Sequence, residues 1–305
     1  MQNYTRRWED PLFKAITFLF AFFILFLTLL VAGALFIQAI PAIEKFGFGF
    51  LVESTWDPVS EIFGALPFIY GTVISSAIAL FIAVPIGLGV SVFLSELSPR
   101  WLSDPISYLI DLLAAIPSVL YGIIGVFVLV PLMRDTIEPA LSNFMGFLPI
   151  FQGAPYGVGV LTAGLILGIM VLPFIISISR EVMLSVPQTQ REAILSLGAT
   201  QWEMVLQVVI PISRSGIIGS IFLALARALG ETMAVTMVIG NNPVISLSFF
   251  DPGHTMAAVI ANEFSEATSE VYLSALIEIG LILFFVSFIV NGVARILVPD
   301  KAGTA

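Results

Sequence analysis

The chain has 305 residues, 58% of them hydrophobic and 11% charged, with a formal net charge of −9 and a mean hydropathy of +1.05. Soluble domains carry about 25% charged residues, so this balance belongs to the membrane class and excludes two ordinary soluble domains. With no cysteine and one histidine, His254, disulfides and thiolate catalysis are excluded, no metal site is expected, and the acid excess offers nothing to nucleic acid.

A helix needs about 20 apolar residues to cross a bilayer. Six stretches qualify: 12–38, 64–96, 106–132, 158–180, 212–240 and 271–298. The first follows Arg6 and Arg7 and holds Lys14 at its start, and its apolar run exceeds the roughly 7–15 residues of a signal-peptide core, so it is predicted to stay as a span. The expected fold class is an all-α membrane protein with six transmembrane helices in a single permease-like domain. Arg6, Arg7, Lys14, Arg100, Arg180, Arg191, Arg214, Arg295 and Lys301 fall on one side of these spans. Lys45 and Arg134 fall on the other, and Arg227 lies within the fifth span. The positive-inside rule then puts both termini in the cytoplasm.

The outer loops instead collect Glu44, Glu53, Asp57, Glu61, Asp135, Glu138, Asp251, Glu263 and Glu266. They read as a solvated face that repels free anions, so an anionic cargo would need delivery by another molecule. His254 is expected in the same solvated loops. Trp8, Trp56 and Trp101 lie in or beside loops, as interfacial anchors do. Pro85, Pro117 and Pro173 fall within spans, where each removes a helix hydrogen bond and favours a kink. Gly122 and Gly125 read as helix-packing points, and Asp111 and Glu278 as groups hydrogen-bonded between helices or placed at an interface.

The longest inner segment, 187–204, is polar enough to leave the membrane and helical in pattern. Its opening half presents Arg191 and Glu192 to the cytoplasm, and Gly198 breaks the helix. By spacing alone it is a connector. In the fifth span, Arg227 lies 12 residues after Ser215 and 13 before Gly240, about 18–20 Å from each at 1.5 Å per residue, close to the midplane. An arginine there costs about 2.5–3.5 kcal/mol on insertion scales. Glu231, four residues on, shares its helix face. The pair either fixes helix packing as a buried ion pair, or Arg227 offers its planar fork to a tetrahedral oxyanion while Glu231 holds it in the empty state. Thr232 adds a hydroxyl or simply fills the helix.

"EAILSLGATQWEMVLQVVIP", residues 192–211, resembles the EAA loop of ABC importer permeases: Glu192, Ala193, Gly198 and Pro211 hold the motif positions, with Ile194 in place of the second alanine. The segments "LLAAIPSVLYGIIGVFVLVPL" and "RALGETMAVTMVIGN" resemble the permease subunit of ABC importers for phosphate, a likeness running from about residue 64 to 295. The resemblance implies a type I ABC importer permease fold in the bacterial cytoplasmic membrane. It makes Arg191, Glu192, Ala193 and Gly198 the ATPase-coupling residues, and Arg227, Glu231 and Thr232 the substrate pathway. It also implies a companion permease, two ATP-binding cassette subunits, an extracytoplasmic phosphate-binding protein and membrane lipid as partners. No lysine here has the P-loop context, so this chain is expected to bind no cofactor and ATP falls to the cassette subunits. Carriage of another oxyanion, such as sulfate or phosphonate, is the nearest alternative. A proton-coupled carrier using Glu231 is more distant, since it leaves the EAA-like loop without a purpose.

Overall fold

The computed structural model describes residues 9–297; Arg6, Arg7, Trp8 and Lys301 lie outside them. In chain order the helices are α1 (Glu9–Phe46), α2 (Leu66–Leu97), α3 (Arg100–Ala114), α4 (Ser118–Met145) and α5 (Val160–Leu184). They continue with α6 (Gln188–Ser196), α7 (Gln201–Leu229), α8 (Met233–Val238), α9 (Met256–Glu263) and α10 (Glu270–Leu297). Six of these, α1, α2, α4, α5, α7 and α10, are long and apolar enough to cross a membrane. A two-residue antiparallel ladder, β1 (Trp56–Asp57) with β2 (Ile62–Phe63), is the only sheet among the described residues.

The centre of the bundle is the seam between α2 and α5. Small residues set it: a Cβ on Gly164 would stand 2.5 Å from Ile78 Cγ2, and one on Gly87 would stand 2.8 Å from Ile175 Cγ2. Without side chains at those points the two helices approach closely, and dispersion contacts replace the water-driven force that lipid cannot supply. Ala79, Ala83, Ala163, Leu167 and Val171 are buried along the seam. By contrast α1 exposes most of its phenylalanines and leucines, as a lipid-facing helix does. It is fastened to α10 where Pro41 disturbs its ladder. There the Ser274 hydroxyl accepts from the Ala42 N–H at 3.0 Å and donates to the Gln38 carbonyl at 2.9 Å.

Two of the expected spans are interrupted. The stretch 106–132 is not one helix: α3 ends at Ala114 and α4 restarts at Ser118, because Pro117 has no N–H and pushes the residue before it out of the helical region. The stretch 212–240 breaks at Gly230–Thr232, after which α8 resumes. Pro85 and Pro173 sit inside α2 and α5 without breaking either.

The loops expected on the outer side also depart from their reading. His254 is 2% exposed rather than solvated; its ring packs edge-on against Phe68 at 5.2 Å, and its Nδ1 accepts from the Thr255 N–H. Burial lowers its pKa to about 4, so it is neutral at physiological pH. Glu138 is fully buried and accepts from the Gly157 N–H at 3.0 Å. Glu263 accepts from Trp56 Nε1 and the Tyr272 hydroxyl at 2.8 and 2.6 Å. Trp56 belongs to an aromatic cluster with Phe63 and Phe68 at 4.8 Å each, whereas Trp101 is 76% exposed. These acids and aromatics tie the loops together instead of merely coating them. Asp111 is bridged between helices by the Ser177 hydroxyl at 2.9 Å; the buried Glu278 Oε2 has no partner among the described residues.

Candidate functional site

The two interrupted spans break side by side. α4 starts against α8 so closely that a Cβ on Gly122 would stand 3.2 Å from Ala234 Cα, and one on Gly125 would stand 2.7 Å from Val238 Cγ1. Tyr121, on the first turns of α4, ties back across the Pro117 break by donating its hydroxyl to the Leu113 carbonyl at 2.8 Å. Helix breaks within a membrane leave backbone groups and half-helix ends at depth, and they survive where they line a cavity or pack on protein.

Arg227 projects into this junction from the last turn of α7. Its guanidinium carbon lies 4.3 Å from the centre of the Phe174 ring on α5, within the range of a cation–π contact. Among the described residues no carboxylate forms an ion pair with it, and its buried Nε has no hydrogen-bond partner. The expected Arg227–Glu231 pair is therefore absent. The reason is the break: α7 stops at Leu229, so Glu231 does not continue its face. Glu231 instead accepts from the Ala234 N–H at 3.2 Å, capping the start of α8. Thr232 sits in the same break, with its hydroxyl 3.4 Å from the Gly230 carbonyl and its own carbonyl accepting from Thr236. What the junction presents is a half-buried cation, held over an aromatic face and lacking a counter-ion.

The second cluster is at the C-terminal end of α5. α6 begins after Pro187, which presets the backbone for a first turn. It stops at Gly198, whose φ of +89° is the left-handed conformation that a glycine adopts freely. A capping box then starts α7: Thr200 Oγ1 accepts from the Glu203 N–H, and the Glu203 carboxylate accepts from the Thr200 N–H at 2.8 Å. Glu192 is exposed, as expected, and so are Ala193 and Gly198.

Arg191 does not, although the sequence placed it facing the cytoplasm beside Glu192. It is 8% exposed, and its fork grips Glu96, at the end of α2, through two hydrogen bonds of 3.0 and 2.8 Å. It also donates to the carbonyls of Val186 and Met183. One helix turn exposes one neighbour and buries the next: positions 191 and 192 are about 100° apart on an α-helix, and 191 faces the bundle. Glu96 and Phe174 were not legible as partners, because nothing local marks a contact made across 95 residues, as between Glu96 and Arg191.

Comparison with known proteins agrees with this architecture. A family model described as "Binding-protein-dependent transport system inner membrane component" matches residues 83–303. The chain is 49% identical to the phosphate transport system permease protein PstC of Mesorhizobium japonicum over 94% of its own length and 89% of that protein's. It is 47% identical to PstC of Haemophilus influenzae over 99% and 96% respectively. A probable PstC of Methanocaldococcus jannaschii is 38% identical over 92% and 90%. Among solved structures, a chain of the inward-facing MetNI methionine ABC transporter superposes with a TM-score of 0.53, covering 80% of this chain and all of that one at 16% identity, a likeness of fold. A family match across most of the chain, joined to identities near one half over nearly its full length, makes this chain a multi-pass inner membrane component of binding-protein-dependent transport and a member of the PstC permease family.

Proposed function

We propose that this chain is one membrane half of an ATP-driven importer of inorganic phosphate, with Arg227 in the path of the anion. The observation that supports it most directly is the unpaired guanidinium at the junction of the two broken spans. A half-buried cation without a counter-ion is costly in a low-dielectric setting, and a passing oxyanion relieves that cost through charge-assisted hydrogen bonds. The high identity to PstC permeases names the oxyanion. Glu231 caps α8 and holds the break open; Thr232 lines it.

Both termini lie in the cytoplasm in this reading, and α6 docks on a cassette ATPase through Glu192, Ala193 and the turn at Gly198. The chain itself binds no cofactor; two cassette subunits hydrolyse ATP, a companion permease completes the pathway, and an extracytoplasmic phosphate-binding protein delivers cargo to the acidic outer side. The test is phosphate uptake by the reconstituted transporter carrying Arg227→Ala, with ATP hydrolysis followed in parallel. Loss of uptake by about 100-fold with hydrolysis retained is expected for removal of a charge-assisted site worth roughly 3 kcal/mol. Uptake at the unmodified rate takes Arg227 out of the path.

A further inference from the structure

Of the nine residues of α6, only Arg191 is buried and only Ile194 is partly so; the others face outward. Two side chains therefore hold this helix to the bundle, and they hold different things. Ile194 joins an apolar cluster with Met183, Val186, Met204 and Val209, at the flanking helix ends. Arg191 alone reaches α2 by an ionic contact. Its partner Glu96 stands in the π-helical turn Phe93–Leu97 that ends α2.

We propose that the Arg191–Glu96 pair is the joint that carries movement of α6 into the inner ends of α2 and α5, with Glu96 as a positioning residue for transport. The proposal rests on the reading of α6 as the ATPase-docking helix. A single-point contact would let α6 swivel. The fork on Glu96 fixes orientation as well as distance, with side chains only 10% and 4% exposed to competing water. The same guanidinium takes the carbonyls of Met183 and Val186, so one side chain links three elements.

Along α5, Phe174 lies nine residues before Met183, about 14 Å at 1.5 Å per residue, and it is the ring beneath Arg227. A displacement of the inner end of α5 therefore reaches the junction through one unbroken helix. A polar cavity of about 670 Å³ beside the joint, lined in part by Ser98, Arg100, Asp104, Arg180 and Gln188, leaves these ends room to shift.

The test uses Glu96→Gln, which keeps the volume and removes the charge, in the complete transporter reconstituted with its ATPase, companion and binding-protein partners. Three quantities are read: the amount of assembled complex, ATP hydrolysis and phosphate uptake per complex. The expected result is normal assembly, hydrolysis within about twofold, and an uptake-to-hydrolysis ratio lowered by about tenfold, inside the range of coupling between sites. An unchanged ratio overturns the proposal, whether both activities persist or both fall with the assembled amount. Should Glu96→Gln fail to assemble, Arg191→Lys, which retains the charge without the fork, is read in the same way; failure of both to assemble makes the pair a folding element and overturns the joint. Glu192→Lys, on the exposed face of α6, separates the two layers. If it lowers the ratio while Glu96→Gln does not, the joint is wrong and the docking reading stands. If neither lowers the ratio, the docking reading falls too.

Discussion

Arg191 and Arg227 are basic residues drawn into the bundle, the first buried and the second half-buried, and the protein treats them in opposite ways. At the end of the bundle that carries α6, Arg191 is enclosed and satisfied by a carboxylate and two carbonyls. At the helix junction Arg227 has a ring beneath it and an unpartnered Nε. A charge that only has to hold structure is best paired within the chain. A charge that has to meet a mobile ligand cannot be, because an internal counter-ion would compete with that ligand at every passage. The difference separates a hinge from a site more sharply than burial does.

The strongest way to break this contrast is to measure stability. Arg191→Ala leaves Glu96 buried beside an empty space, a defect of about 3–5 kcal/mol for a buried pair that loses one member. Thermal unfolding in detergent should register it as a clear fall in midpoint, and the double replacement Glu96→Leu/Arg191→Met should recover most of the loss. Arg227→Met should behave oppositely, leaving the midpoint unchanged or raising it, since it removes a lone cation from an apolar setting while abolishing uptake. Equal destabilisation by both single variants would show that Arg227 is also paired in the working protein.

His254 sets the pH range in which that comparison is clean. Its folded pKa, lowered by burial to about 4, lies below the unfolded value near 6.5. Between those values the unfolded chain binds more protons, so stability falls as pH falls, by about 2 kcal/mol from pH 7 to pH 5 for one such group. The midpoint should drop across this window and the slope should flatten in His254→Gln; an identical slope in that variant would place the acid sensitivity elsewhere. The two arginine variants are therefore compared at neutral pH, where His254 is uncharged in the folded and largely in the unfolded chain.

How far the sequence reaches follows the range of the forces involved. Span-length apolar runs, the Gly198 turn and the outward placement of Glu192 are local properties, and the chain states them in order. The break at Pro117 was present as a proline but so were Pro85 and Pro173, which are absorbed without a break; what decides is whether neighbours keep the helix going, and that is tertiary. The Arg227–Glu231 spacing suggested a pair because i and i+4 meet on a continuous helix, and the helix ends between them. Arg191 beside Glu192 looked like a shared exposed face until the bundle supplied Glu96. His254 was assigned to solvent for its position in a loop, yet this loop packs into the bundle, with its carbonyl where a Cβ on Gly71 would stand 2.0 Å away.

The finest test of the contrast concerns the aromatic under Arg227. If the guanidinium is left unpaired for a ligand, something other than a carboxylate has to orient it, and Phe174 is the group in contact. A ring face attracts a cation without neutralising it or occupying its N–H donors, so the fork stays available to an oxyanion. Phe174→Leu keeps an apolar side chain on α5 while removing the ring face. The expected loss is about 1 kcal/mol, a factor of about five, within the range of a partly desolvated cation–π contact. It should appear in phosphate uptake at low substrate with ATP hydrolysis unchanged, and Phe174→Tyr should restore most of it. If Leu and Tyr transport equally well, the ring is only filling space, and the orientation of Arg227 has to come from the ends of α4 and α8.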